Sequence, residues 1–280
     1  MKDDVDKATG GKLKITVHAN ASLFKAPEIK RAVQGGLRLQ IGEVLISNFA
    51  NEWAPFGADA LPFLADSYDE SVKLWKVQKP LFEKKLGEQG LMPLYAVPRP
   101  PQGVFSKKAL ASGADMKGIK FRAYNPATSR LAELLGAQPV TVQAAEVSQA
   151  FATGVTDKHD LQRLDRRRRQ AARACEALVR HPGLAAQGPM LVNKAAFAAL
   201  DKPTQDAVLK AAAAAEERGL AASKKANGES LDKLRAGGMQ ILLPPAALSA
   251  DLKKAGEVML KEWLDKAGAD GKALVDAYRR

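Results

Sequence analysis

Apolar residues recur with a period of two over residues 12–17 (KLKITV), which predicts a strand, and the residues before Gly10-Gly11 read as a helix tail stopped by glycine. A helix pattern over 27–33 and a return to strand character in LQIGEVLIS make the opening a strand–helix–strand unit of a parallel-sheet α/β domain. Residues 48–63, NFANEWAPFGADALPF, carry neither period; an irregular stretch this long inside a compact domain is commonly functional. Val72, Leu74, Trp75, Val77 and Leu81 then give a helix over 69–86 a broad apolar face, with Trp75 in the core. LMPLYAV reads as a strand running into PRPPQG, a stiff extended segment suited to crossing from one lobe to another.

The second half opens with GVFSKKAL and reaches a short strand in which Ile119, Phe121 and Ala123 alternate with Lys120, Arg122 and Tyr124. Asn125-Pro126 is a cap followed by proline in a first turn, and it starts a helix over 128–135. A strand at QPVTV, a helix over 144–153, and a strand and short helix in MLVNKAAFAAL follow. A long helical pattern then runs from 203 to 236, with interruptions expected near Gly219 and Gly228. MQILLP is a last strand, and two helices, over 248–266 and 271–278, finish the chain. Two lobes are expected: 1–100 with part of 203–245, and 101–202 with the C-terminal helices.

Charge alters this picture in one place. The net charge of +12 would point to nucleic acid or an anionic membrane if it were spread over a face, but residues 158–180 alone carry +5 of it. The stretch from 158 to 189, KHDLQRLDRRRRQAARACEALVRHPGLAAQGP, lacks strand alternation where the preceding helix should feed a strand. It holds Cys175, His159 and His181, and its Arg166–Arg169 run reads as a solvated basic helix or, alternatively, as a nucleic-acid contact. Codons can also be chosen that encode these residues and, one base on, give Thr-Asn-Met-Ile-Cys-Ser-Gly-Ser-Thr-Gly, which reads as a strand and turn. A frameshift in the gene or its sequencing is the expectation that follows.

One cysteine allows no internal disulfide and no cysteine zinc site. No phosphate loop, nucleophile elbow or metal spacing appears, and His18 is a lone candidate base, so neither an enzyme nor a cofactor or metal site is expected. No run is apolar enough to span a membrane, and the start has no signal-peptide pattern; it reads as a chain whose beginning has been lost. Arg122 is the remaining candidate. A guanidinium on a rigid element holds a carboxylate through two parallel charge-assisted hydrogen bonds, although strand-end arginines are more often solvated or paired with a neighbouring acid.

Several segments together resemble the DctP family, the extracytoplasmic solute receptors of TRAP transporters: ATGGKLKITVHANASLFKAPEIKRAVQGG, IGEVLISNFANEW, FGADALPFLADSYDE, DMKGIKFRAYNPATSRLAELLGAQPVTVQAAEVSQAFATGV and VNKAAFAALDKPTQDAVLKAA. The resemblance covers nearly all the chain outside 158–189. It implies an α/β, two-lobed class II periplasmic-binding-protein fold with a long lobe-bridging helix. It further implies capture of a small organic acid, a dicarboxylate or other carboxylate, in the periplasm and delivery to the membrane permease subunits of a TRAP transporter, with no nucleic acid as partner. Arg122 falls at the family's carboxylate-binding arginine. Gln102 and Asn125 are implied as polar contacts or turn caps; His18, Asn20 and Ser22 as cleft or turn residues; Phe49, Asn51, Glu52 and Trp53 as a wall of the other lobe or as packing. The chain departs from the family at Arg99, where a tryptophan is usual, at Leu37 and Arg38, and at 158–189, where a strand with a Ser-Gly-Ser-Thr turn is replaced. Burying Arg166–Arg169 in place of that strand would cost more than a lobe can spare.

Overall fold

Backbone pairing divides the strands between two sheets, one in each of two units. The computed structural model describes residues 1–106, 109–142, 146–153, 158–160, 177–180 and 186–280. The elements of the first half are α1 (Lys2–Ala8), α2 (Ile29–Gly35), β1 (Ile41–Glu43), α3 (Tyr68–Gly87), β2 (Leu91–Pro98), β3 (Gly103–Ser106), β4 (Lys120–Ala123) and α4 (Pro126–Leu134). After them come β5 (Gln138–Thr141), α5 (Val147–Ala152), β6 (Lys158–Asp160), β7 (Ala177–Arg180), β8 (Gln187–Asn193), α6 (Lys194–Ala198), α7 (Lys202–Ala236), β9 (Gln240–Leu242) and α8 (Ala246–Arg279).

Unit 1 comprises Met1–Ile46, Trp75–Pro98 and Gln187–Ser223. Its sheet has the order β1-β8-β2 with both pairs antiparallel, which replaces the parallel arrangement expected for the opening of the chain. The strand expected over 12–17 is also absent: the segment is irregular, because alternation sets which side chains turn inward but cannot supply a backbone neighbour. Leu13 and Ile15 still turn inward, packing on Val5, Leu94, Tyr95, Val192 and Val208. On α3 the buried stripe is Leu74, Trp75, Gln78, Phe82 and Leu86, while Val72, Val77 and Leu81 are half-buried, so the apolar face is rotated from the one expected. Trp75 is in the core as predicted, its indole N–H donating to Glu216 Oε1 at 2.9 Å, and the same oxygen accepts from Ala96 N at 3.0 Å. Asn193 joins two helix ends: its Oδ1 accepts from Ala196 N at 2.9 Å, and its Nδ2 donates to Val33 O and Gln34 O, both at 3.0 Å.

The long helix α7 is unbroken through Gly219 and Gly228. Its first residues belong to unit 1 and those from Lys224 to unit 2. Gly219 serves packing instead of termination: a Cβ there would meet Val97 Cγ2 at 2.4 Å. The two terminal helices expected are present as the two arms of α8, separated by a non-helical break at Gly268 with φ 56° and ψ −136°.

Unit 2 comprises Ser47–Leu74, Arg99–Ala186 and Lys224–Arg280, so 47–74 groups with the later part of the chain and 187–223 with the earlier part. Its sheet, β5-β4-β6-β3-β7-β9, is mixed: β4 is parallel to β5 and β6, β3 is antiparallel to β6 and β7, and β7 is parallel to β9. The stretch from 158 to 189 therefore contains β6, β7 and the start of β8, where no strand was expected. Backbone pairing between β3 and β4 overrides the weak local signal of β6, and Ala177, Leu178 and Val179 are buried in β7. Cys175, His181 and Arg166–Arg169 lie outside the described residues. Phe105, Val142, Val147, Leu178, Leu234 and Met239 form the core against this sheet. The stretch 48–63 is partly 3-10 helix, and Pro55 to Ala60 are buried.

Candidate functional site

Strand β4 lies between β5 and β6, with Arg122 in register with Val140 on one side and His159 on the other. The Arg122 side chain is 5% exposed. Its Nε donates to Val142 O at 2.9 Å, and Val142 N donates to Ala123 O at 3.2 Å, so one residue just past β5 holds both the strand and the guanidinium. The other N–H donors of the group lie on its Nη edge, the edge that grips a carboxylate in a bidentate pair.

Tyr124 covers the guanidinium, with Cζ 4.8 Å from the ring centroid. The Tyr124 hydroxyl accepts a hydrogen bond from Gln102 Nε2. Gln102 immediately precedes β3 and is 2% exposed. Three polar side chains separated by up to 22 residues are thus brought into one constellation within unit 2. Tyr124 itself is held from below: its backbone N–H and that of Asn125 both donate to Thr128 Oγ1, at 3.1 and 3.2 Å.

Asn125 is the N-cap of α4, its Oδ1 accepting from Thr128 N at 2.8 Å and its Nδ2 donating to Ser47 Oγ at 3.2 Å. Pro126 occupies the first turn, as the sequence pattern predicts. The other candidates have contacts of their own. Trp53 Nε1 donates to Asp270 Oδ2 at 3.0 Å, and its ring meets Phe56 edge-on at 5.1 Å. Phe49 ends a 3-10 turn, and the exposed Glu52 donates its backbone N–H to Phe49 O at 3.0 Å. His18 and Asn20 are exposed residues of unit 1; Asn20 has φ 56°, within a turn closed by Ser22 N to Ala19 O at 3.2 Å. Tyr124 was not among the sequence candidates. Its signal was present, since residues two apart on a strand share a face, and Tyr124 follows Arg122 by two.

Among the described residues no group of three or more His, Cys, Asp or Glu is arranged to hold a metal ion, and no helix is long and apolar enough to cross a membrane.

The family model for DctP, bacterial extracellular solute-binding protein family 7, matches residues 1–266. DctP6 of Bordetella pertussis, an extracytoplasmic solute receptor whose crystal structure binds pyroglutamic acid, superposes with a TM-score of 0.93 at 50% identity, over 99% of this chain and 92% of that one. DctP7 of the same organism, also a receptor binding pyroglutamic acid, superposes with a TM-score of 0.93 at 42% identity, over 100% of this chain and 92% of that one. A curated solute-binding protein of Roseobacter denitrificans is 24% identical over 159 residues, 55% of this chain; the match spans 48% of that relative, about half its length. The chain belongs to the DctP family of bacterial extracellular solute-binding proteins, and its α/β fold is the two-lobed one of the TRAP solute receptors.

Proposed function

We propose that this chain is an extracytoplasmic receptor for a small carboxylate, acting without chemistry on its ligand and serving the membrane subunits of a TRAP-type transporter. The observation that carries the reading is the buried Arg122, tied by Nε to Val142 O and stacked on Tyr124. A guanidinium with this support forms a bidentate carboxylate pair at small entropic cost, and removal from water strengthens the attraction. Gln102, buried and bonded to Tyr124, is the proposed second polar contact. Pyroglutamate is the proposed ligand. It is bound by two similar receptors at 50% and 42% identity, and it offers a carboxylate for Arg122 beside a lactam with one donor and one acceptor for neutral polar groups. A dicarboxylate would ask for a second cation, and the described constellation around Arg122 contributes neutral Gln102 and Tyr124.

Thermal unfolding with L-pyroglutamate, succinate, L-proline and gluconate tests the proposal. L-Pyroglutamate at about 100 times its Kd is expected to stabilise the chain by about 2.7 kcal/mol. Arg122→Ala is expected to abolish the rise, and Arg122→Lys to weaken binding by roughly tenfold to a hundredfold through loss of the forked geometry. A wild-type chain that responds to none of these acids, or an Arg122→Ala chain that responds undiminished, overturns the reading.

A further inference from the structure

We infer that Tyr124 is the positioning residue of this site, fixing the plane of Arg122 and the register of Gln102 so that the receptor separates carboxylates of equal charge; the inference rests on the carboxylate reading above. An arginine side chain turns about several bonds, and a hydrogen bond at Nε by itself does not set the tilt of the guanidinium plane. The bond to Val142 O restrains one edge. The Tyr124 ring, 4.8 Å from Cζ, restrains the face. Both bear on how the Nη edge is presented. The same phenol takes the Gln102 amide as donor, so its oxygen links the arginine's strand to the residue that leads into β3. Because that oxygen accepts from Gln102, the phenolic hydrogen points away from the amide.

The backbone that carries the ring is anchored: the N–H of Tyr124 and that of Asn125 share Thr128 Oγ1, and Asn125 caps α4, so the aromatic group projects from the junction of a strand and a helix. A carboxylate gripped by a fixed fork is held in one plane, and the rest of the ligand is then presented at one angle to Gln102. Charge alone makes an arginine bind every small acid; the fixed angle is what separates them.

L- and D-pyroglutamate are the discriminating probes, being equal in charge, size and composition. Calorimetric titration of the full chain is expected to show preference for the L enantiomer, and Tyr124→Leu to reduce that preference about tenfold while leaving a residual, unselective affinity. Tyr124→Phe, which keeps the ring and loses the hydroxyl, is expected to fall between the two. Arg122→Lys is expected to cost at least about fivefold less in the Tyr124→Leu background than in the wild type, since the fork is already unaligned there. In the unliganded protein, the Arg122 Nε–H resonance is expected to shift in Tyr124→Leu and to stay close to its wild-type position in Tyr124→Phe. Equal loss for both enantiomers, an additive cycle, or an unmoved Nε–H resonance overturns the inference while the carboxylate reading stands. A wild-type chain that binds no acid overturns both.

Discussion

The carboxyl of Asp66 is pushed from 3.8 up to about 6, first by its hydrogen bond with the Glu70 carboxyl, then by partial burial and the negative charge of Glu70. Glu70 moves the other way, held below its ordinary range by Asp66 and by the Asp66 backbone N–H, which donates to Glu70 Oε2 at 2.9 Å. The folded chain holds the Asp66 proton more tightly than the unfolded chain does. The stability linked to Asp66 is therefore complete below its unfolded pKa and is lost as pH rises through about 6. Glu70 contributes in the opposite sense, with stability present above its ordinary range and lost as pH falls. Asp66→Asn separates the two, because asparagine cannot take up the charge. Relative to wild type, Asp66→Asn is expected to gain stability between about pH 4 and about pH 6.5. Urea midpoints measured across that interval check it, and a difference that does not vary with pH would refute the assignment. The same residue-level logic makes Arg122 readable: its chemistry is written in its type, and Tyr124 is legible beside it through strand periodicity.

At the scale of elements, two glycines of α7 carry opposite predictions. Both were expected to interrupt the helix, and neither does. Gly219 lies where the helix meets β2, and a Cβ at 2.4 Å from Val97 Cγ2 must displace the strand or the side chain. Gly219→Ala is expected to destabilise the chain by about 1–3 kcal/mol through overpacking, outweighing the gain in helix propensity. Val97→Ala should restore part of the loss. At Gly228 a new Cβ would meet nothing within 4 Å, so Gly228→Ala is expected to stabilise by up to about 1 kcal/mol. Chemical denaturation of the three variants decides, and a stabilising Gly219→Ala would show that the approach of helix and strand is slack. Single-chain reading takes glycine in a helical run as a breaker because helix propensity is local; whether a strand needs the missing methyl group is a long-range fact.

For the whole molecule, the frameshift expected over 158–189 makes a direct prediction about the gene. Coding DNA across this stretch, read one base on, is expected to give Thr-Asn-Met-Ile-Cys-Ser-Gly-Ser-Thr-Gly in a single alternative frame. The frame-restored chain is expected to bind L-pyroglutamate at least about tenfold more tightly than the chain as written, measured by calorimetry. A gene in which no single frame yields that text sinks the idea. The sequence by itself determined the α/β alternation, the capped start of α4 at Asn125-Pro126, the core placement of Trp75 and the family, because local periods, cap chemistry and ordered segments are properties of neighbours along the chain. Only the tertiary structure decided that residues 12–17 lack strand pairing, that β6 joins β3 to β4, that Gln78 turns inward, and that Gln102 meets the residue beside Arg122. The physical reason is common to all four. A period tells which way a side chain faces, but what lies opposite that face is set by residues far away in sequence, through backbone pairing and packing that no local window contains.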